Sequence, residues 1–246
     1  MHDHWIAERM KHIEVSGIRK VFDLAAHLKD PVNFSIGQPH FPVPAAIKDA
    51  LKNAVETDKN AYTVTQGIPE LRAKLLTRIR ATMPTSSADR DLIVTSGTSG
   101  GLVLALSCVL NPGDEVIIFD PYFVMYPHFI TMAGGKSVIL DTYPHFQIDV
   151  AKVEAAITPR TKAIIVNSPA NPTGIVHPRE VLRDLALLAR ERKILLLSDE
   201  VYRAFCYDGP FASPLEFSDE VVVLDGFSKA YGMTGLRLGY AHGPRR

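Results

Sequence analysis

Apolar residues fall in two different rhythms along this chain. Residues 18–28 carry Ile18, Val21, Phe22, Ala25 and Leu28 at helical spacing, with Ser16 placed to cap and Pro31 to break the helix. Pro-rich residues 31–45 read as an extended segment. Two further helical patterns come next, one over Ala45–Val55 and one opening at Pro69 with Leu71, Leu75, Leu76 and Ile79 on its inner face. From Asp91 onward the rhythm changes. Short continuous apolar runs appear at Leu92–Thr95, Val116–Phe119, Ser137–Leu140, Ala163–Val166, Ile194–Leu197 and Val221–Leu224, and Arg237–Ala241 reads as a last strand. Helical patterns separate most of them, at Gly101–Leu110, Tyr126–Ala133, Val150–Ile157 and Pro178–Glu191. Uninterrupted apolar strands alternating with helices predict an α/β fold of three layers, with a mostly parallel sheet covered on both faces.

The loops that leave these strands are rich in polar and aromatic groups. Ser96-Gly97-Thr98-Ser99-Gly100-Gly101, Asp120-Pro121-Tyr122-Phe123, Asn167-Ser168-Pro169-Ala170-Asn171-Pro172-Thr173-Gly174, Ser198-Asp199-Glu200-Val201-Tyr202 and Asp225-Gly226-Phe227-Ser228-Lys229 all lie at carboxyl ends of strands. In open α/β sheets that edge is where ligands bind. A Lys just past a buried strand is poised to lose solvation, lower its pKa and act as an amine nucleophile, whereas an isolated Lys is usually a solvated loop residue. Ser228 and Arg237 are phosphate-type donors beside it. The set suggests an amine that forms a Schiff base with a phosphorylated aldehyde, and pyridoxal phosphate (PLP) is the candidate.

Each remaining loop has a functional and a plainer reading. The Ser96–Gly101 turn suits a phosphate at a helix N-terminus, or is an ordinary cap; it matches neither a dinucleotide fingerprint nor a Walker loop. Asp199 ends an apolar strand, where an unpaired carboxylate is costly; it either pairs with a protonated ring nitrogen or caps the next helix. Tyr202 can bond a ring hydroxyl and Phe123 can stack on a ring face, although Phe123 and Tyr126 also read as core aromatics. Asn171 is fixed between prolines, and is otherwise a turn residue.

Composition narrows the field little. The 246 residues are 46% hydrophobic and 22% charged, the range of a soluble globular protein. Lys plus Arg and Asp plus Glu both number 27, which gives no electrostatic case for nucleic acid or an anionic membrane. Cys108 and Cys206 sit in apolar stretches without metal-ligand spacing and read as buried thiols in a reducing compartment. The polar N-terminus lacks a signal-peptide core, and the aliphatic runs are too short to span a bilayer, so the expected location is cytoplasmic.

From about Ser16 to Ala241 the chain resembles the class I/II aminotransferases, the aspartate-aminotransferase-like branch of fold-type I PLP enzymes. The resemblance rests on Ser35-Ile36-Gly37-Gln38-Pro39, on Tyr62 with Gly67-Ile68-Pro69-Glu70-Leu71-Arg72 after it, on Asn171-Pro172-Thr173-Gly174, on Asp199-Glu200-Val201-Tyr202, and on Ser228-Lys229-Ala230-Tyr231-Gly232 through Arg237-Leu238-Gly239. It implies Lys229 as the Schiff-base lysine and general base, Asp199 at the pyridine nitrogen, Asn171 and Tyr202 at the ring oxygen, and Phe123 on the ring. It assigns the phosphate to Gly97, Thr98, Ser99, Ser228 and Arg237, and the substrate carboxylate to Gly37 and Asn171. Tyr62 resembles the tyrosine that reaches the neighbouring subunit's phosphate, which implies a homodimer with shared sites. The implied activity is transfer of an amino group from an L-amino acid to a 2-oxo acid. A PLP-dependent lyase, or a PLP-fold module without turnover, would use the same residues. A nicotinamide oxidoreductase lacks its glycine fingerprint.

The implied organisation is an N-terminal helix and extended segment over 1–45 and a PLP-binding large domain over 46–246. Members of the family continue for well over a hundred residues past the last strand, into a small domain carrying the arginine that grips the substrate carboxylate. Arg245 and Arg246 do not match that arginine by context. The expectation is a chain that binds PLP weakly and transaminates poorly.

Overall fold

The computed structural model describes residues 3–13, 24, 28–30, 32, 37–83 and 89–245. The helix expected over 18–28, and the Ser35-Ile36 part of the first motif, lie largely outside the described residues. Among the described residues seven strands form one sheet: β1 (Arg90–Ser96), β2 (Glu115–Asp120), β3 (Lys136–Asp141), β4 (Thr161–Asn167), β5 (Leu195–Asp199), β6 (Val222–Gly226) and β7 (Leu238–Pro244). They are accompanied by the helices α1 (Ala45–Glu56), α2 (Pro69–Thr82), α3 (Gly97–Val109), α4 (Met125–Met132), α5 (Val150–Ala156) and α6 (Arg179–Arg192).

Strand side chains alternate between two cores. Val116, Ile118, Ala163, Ile165, Leu197 and Leu224 pack with Leu102 and Leu106 of α3 and with Tyr126, Phe129 and Ile130 of α4. Their neighbours Ile117, Ile164, Val166, Leu196 and Val223 face the other way, onto Leu75 and Ile79 of α2, Val153 of α5 and Leu182 and Leu185 of α6. A strand with apolar side chains on both faces reads as an unbroken run, which is why these segments are legible in the sequence. The expected three layers are present. In α6 the buried set Leu182, Leu185, Ala186 and Ala189 has the i, i+3, i+4, i+7 spacing of an amphipathic helix.

The strand order is β1-β7-β6-β5-β4-β2-β3. Pairs among β2 to β6 are parallel, whereas β7 is antiparallel to both β1 and β6. This one reversal positions the site. Because β7 runs against its neighbours, it begins at the edge where they end. Its register sets Ser96 opposite Leu238 and Gly226 opposite Gly239. The residue before β7, Arg237, therefore arrives beside the ends of β1 and β6. Arg237 is not the first residue of that strand, as its apolar pattern implies. It has φ 52° and ψ 49° at the end of a 3-10 turn, Thr234–Leu236, and is exposed at the sheet edge.

Two other expectations are corrected. Helix α3 begins at Gly97 rather than Gly101. Gly97, with φ +67°, turns the chain out of β1, so Thr98 and Ser99 belong to the helix's first turn. Cys108 is exposed and Cys206 partly so, because α3 directs Leu102 and Leu106 inward and turns Cys108 outward. Among the described residues no helix is long and apolar enough to cross a membrane.

Candidate active site

A cavity of about 540 Å³ opens at the carboxyl edge of the sheet. That volume lies in the usual range for small-molecule sites, roughly 300–1,000 Å³. Thr98, Ser99, Phe123, Asn171, Asp199, Tyr202, Ser228, Lys229, Arg237 and Gly37 all line it. Two predicted residues are elsewhere. Gly97 is buried beneath Arg237, where a Cβ would lie 2.5 Å from Nη2 of that arginine. Tyr62 stands 107% exposed, off the cavity wall.

One wall residue of the cavity is a buried carboxylate. Asp199 ends β5, paired in register with Asn167 of β4 and Leu224 of β6. It is 5% exposed. Its Oδ2 accepts a 2.7 Å hydrogen bond from the Tyr126 hydroxyl. Burial pushes its carboxyl up to about 6, opposed by that hydrogen bond and one from the Val201 N–H. The Tyr126 hydroxyl is itself raised well above its ordinary range, by burial first and then by the Asp199 charge. Asn167 Nδ2 donates to the Asp199 carbonyl at 2.9 Å, and Asn167 Oδ1 accepts from the Asn171 N–H at 2.7 Å. The turn carrying Asn171 is thus tied to the strand carrying Asp199.

Just past the neighbouring strand β6, Lys229 is half-buried. Its Nζ donates to the Gly37 carbonyl at 2.6 Å and stands 5.7 Å from the centre of the Tyr202 ring. Burial lowers its pKa, and the Arg237 guanidinium lowers it further. Tyr202 is shifted up by burial and by Asp199, against a hydrogen bond from Asn171. In the same cavity, Arg237 Nη1 donates to the Thr234 carbonyl at 2.9 Å beside Gly97 at the start of α3, and the neighbouring Ser228 is buried. Free N–H groups of a helix start, two hydroxyl side chains, Ser228 and a guanidinium make a cradle for an anion.

The cavity therefore presents a softened amine, a buried carboxylate, and an anion cradle. Sequence reasoning missed the part played by Tyr126 and Asn167. Tyr126 has the spacing of a core aromatic, and Phe129 and Ile130 beyond it are core; Asn167 is visible only as a polar residue ending an apolar strand.

A second, buried layer lies under Asp199. Glu200 is fully buried and accepts hydrogen bonds from the hydroxyls of Ser198 and Ser213. Burial raises it to about 7, and Arg203, 3.8 Å away, opposes this. Asp225 ends the apolar run of β6 and accepts at 2.8 Å from Tyr240 of β7, and burial raises it too.

This geometry has close parallels among known proteins. The aminotransferase class I and II family model matches residues 29–246. The chain is 40% identical over 235 residues to a probable aspartate aminotransferase of Methanocaldococcus jannaschii, covering 96% of this chain and 62% of that protein. It is 35% identical over 246 residues to a probable N-acetyl-LL-diaminopimelate aminotransferase of Bacillus subtilis, covering 99% of this chain and 63% of the relative. Among solved structures, the aspartate aminotransferase of Thermus thermophilus with maleate superposes at a TM-score of 0.90 and 38% identity. That match spans 98% of this chain and 65% of the solved one. The chain thus spans somewhat less than two thirds of the relatives it matches. With the sheet order, the edge that carries the polar loops and the sequence agreement all pointing one way, this chain belongs to the class I and II aminotransferases.

Proposed function

We propose that this chain is the cofactor-binding part of a PLP-dependent aminotransferase, which moves an amino group from an L-amino acid to a 2-oxo acid. The observation that carries the reading is that Lys229 and Asp199, just past and at the ends of neighbouring strands, share one cavity with the residues of an anion cradle. The residues fit the cofactor by their donor chemistry. Thr98, Ser99, Ser228 and Arg237 would hold its phosphate. Asp199 would pair with its ring nitrogen, Asn171 and Tyr202 with its ring oxygen, and Phe123 would cover one ring face. Gly97 fits as the residue that leaves room for Arg237. Residues 46–246 would form the cofactor-binding unit, and 1–45 a separate N-terminal segment.

When bound, PLP supplies an electron sink for the negative charge left at a substrate α-carbon. The rest of the chemistry belongs to the chain. Asp199 must be ionised to hold a ring nitrogen protonated, and Tyr126 with the Val201 N–H favours its ionised form against burial. Lys229 must be a neutral amine to attach to an aldehyde or to take a proton from the α-carbon, and its lowered pKa favours that form. Gly37 and Asn171 would meet the substrate carboxylate.

The same reading makes the working protein a homodimer. Tyr62 is fully exposed, and Leu51 and Val55 of α1, with Val64 and Ile68, are exposed apolar side chains in the same stretch of sequence. Tyr62 would reach the phosphate in a second copy's cavity. A cytoplasmic location accompanies the reading.

The test is spectroscopic. The protein is mixed with PLP, its absorbance recorded, and the sample reduced with borohydride and mapped. Label on Lys229 is the expected result, and a panel of amino acids added before reduction reads how far the chain converts the imine band. Label spread over surface lysines, with no cofactor band, would overturn the reading.

A further inference from the structure

Asp199 lines the main cavity, but Glu200, the next residue, does not. Its side chain is fully buried, and the reaction proposed above makes no use of it. Oε1 accepts from two hydroxyls, Ser198 Oγ at 3.0 Å and Ser213 Oγ. Oε2 has no hydrogen-bond partner among the described residues, and Nη1 of Arg203 stands 3.8 Å from it. Taking a carboxylate out of water is costly, and apolar side chains of similar volume in place of a buried ion pair are often as stable or more so. Stability alone therefore does not account for a charged group at this position.

Its place in the chain does. The Arg203 N–H donates to the Glu200 carbonyl at 2.9 Å, so Glu200 and Arg203 are the first and last residues of a turn. Val201 and Tyr202 are its centre, and Tyr202, with φ −102° and ψ 7°, has the backbone of the third position of a type I turn. The two end residues meet again through their side chains, carboxylate to guanidinium, so the turn is closed twice. Glu200 also ties it to the sheet. Its N–H donates to the Leu224 carbonyl of β6 at 2.8 Å, and its carboxyl holds the Ser198 hydroxyl of β5. On the other side, Ser213 opens the 3-10 turn Pro214–Glu216, whose Glu216 is ion-paired to Arg179 of α6. What the turn presents to the cavity is the Tyr202 ring, 5.7 Å from Lys229 Nζ, with a hydroxyl that accepts from Asn171.

We propose that Glu200 is a positioning residue for Tyr202: its buried carboxylate, held by the Ser198 and Ser213 hydroxyls and facing Arg203, fixes the turn that presents the Tyr202 ring to the cavity. Glu200→Gln keeps an oxygen for the hydroxyls but sets an amide against the guanidinium. Arg203→Met keeps the aliphatic stem and removes the charge. Either change opens the side-chain closure and leaves the turn its backbone bond. The role of the Tyr202 hydroxyl at a ring oxygen rests on the PLP reading above; the positioning of the ring does not.

The first test needs no cofactor. Nitration of tyrosines at pH 8, mapped by peptide, compares Tyr202 with Tyr62, which is fully exposed, and with Tyr240, which is buried. In each variant Tyr202 is expected to react about five-fold faster relative to Tyr62, the size of one lost polar contact, while Tyr240 stays protected. The double variant is expected to match the singles, because both substitutions break one link; additive effects overturn that link. An unchanged Tyr202 overturns the proposal, and so does a rise of Tyr202 and Tyr240 together, which marks general loosening. Should Glu200→Gln fail to fold, Arg203→Met, at a side chain 21% exposed, decides by the same readout.

The second test uses PLP. The pH midpoint of the imine band is expected to rise in Glu200→Gln as in Tyr202→Phe, because a hydrogen bond onto the ring oxygen draws off negative charge that favours the protonated imine. On the Tyr202→Phe background Glu200→Gln is expected to add nothing, and a full further rise there overturns the action through Tyr202. If wild type gives no imine band, the PLP reading falls and the nitration result still decides the positioning.

Discussion

The Tyr126 hydroxyl sits 2.7 Å from Oδ2 of Asp199, donating to it in the buried lining of the cavity. This bond decides how much of the carboxylate is ionised, because burial alone favours the neutral acid. Tyr126→Phe removes the donor and leaves Asp199 raised further. PLP affinity should fall about five- to ten-fold, the scale of one hydrogen bond to a charged group. The loss should be greater at pH 6 than at pH 8, since protonated Asp199 cannot pair with a pyridinium. Equal affinities of variant and wild type at both pH values would sink this role for Tyr126.

The same burial makes Asp199 a stability cost. Its folded pKa of about 6 lies above the ordinary aspartate value of about 3.9. Between those values the folded state binds more protons than the unfolded one, so stability falls as pH rises. Above about pH 6 the penalty is complete, on the order of 2–3 kcal/mol. Asp199→Asn in the cofactor-free protein should therefore raise the melting temperature by several degrees at pH 8 and leave it nearly unchanged at pH 4. It should also weaken PLP binding further, the trade expected of a group kept for function. Thermal melts at the two pH values check it; a variant destabilised at pH 8 refutes it.

His177 and His242 act in the opposite sense. Burial lowers both to about 4, below the ordinary histidine value of about 6.5. The stability they confer is present above pH 6.5 and is lost as pH falls toward 4, where the unfolded chain takes up protons that the folded one refuses. The wild-type acid limb is thus a partial cancellation of histidines against Asp199 and Glu200. Asp199→Asn should steepen the fall in stability between pH 6.5 and 4, because it removes the opposing carboxylate. Chemical denaturation across that range measures the slope, and an unchanged slope is the contrary result.

How much of this is legible in the sequence depends on the range of the interaction. Runs such as Val116–Phe119 and Ala163–Val166 declare themselves because both faces are buried, and the loop after each shows where a site would gather. Lys229, Asp199, Asn171 and Arg237 can be named from those loops and do share a cavity. What local pattern cannot give is partnership across the chain. The insertion of β7 between β1 and β6, against their direction, has no local signature, yet it carries Arg237 to Gly97. The Lys229 contact with the Gly37 carbonyl joins residues 192 apart. Tyr126 and Phe129 have the same helical spacing; one is a donor to a carboxylate and the other only packs.

Lys229 and Arg237 carry like charges on one wall, and the arginine helps depress the lysine. Arg237→Gln should move the pH midpoint of Lys229 reactivity upward, toward that of an ordinary lysine, because one of the two causes of the depression is removed. Competitive labelling of Lys229 by a small acetylating reagent across pH 7–11 reads this without any cofactor. No movement, or movement to lower pH, would show that the guanidinium does not act on the amine.

Two glycines on either side of Arg237 should fail differently. A Cβ at Gly97 would lie 2.5 Å from Arg237 Nη2, the end of a flexible side chain that can swing aside. Gly97 also has φ +67°, which costs a non-glycine residue about 1–2 kcal/mol. Gly97→Ala should fold with a melting temperature lowered by about 2–8 °C, and lose about ten-fold or more in affinity for PLP as Arg237 leaves the cradle. At Gly239 the same Cβ would meet backbone, 2.6 Å from the carbonyl carbon of Gly97 and 2.8 Å from the Thr98 nitrogen. Nothing there can rotate away, so the β7 start and the α3 start must separate. Gly239→Ala should show much the larger drop in melting temperature or soluble yield. If Gly97→Ala kept full PLP affinity, Arg237 would not be holding the phosphate.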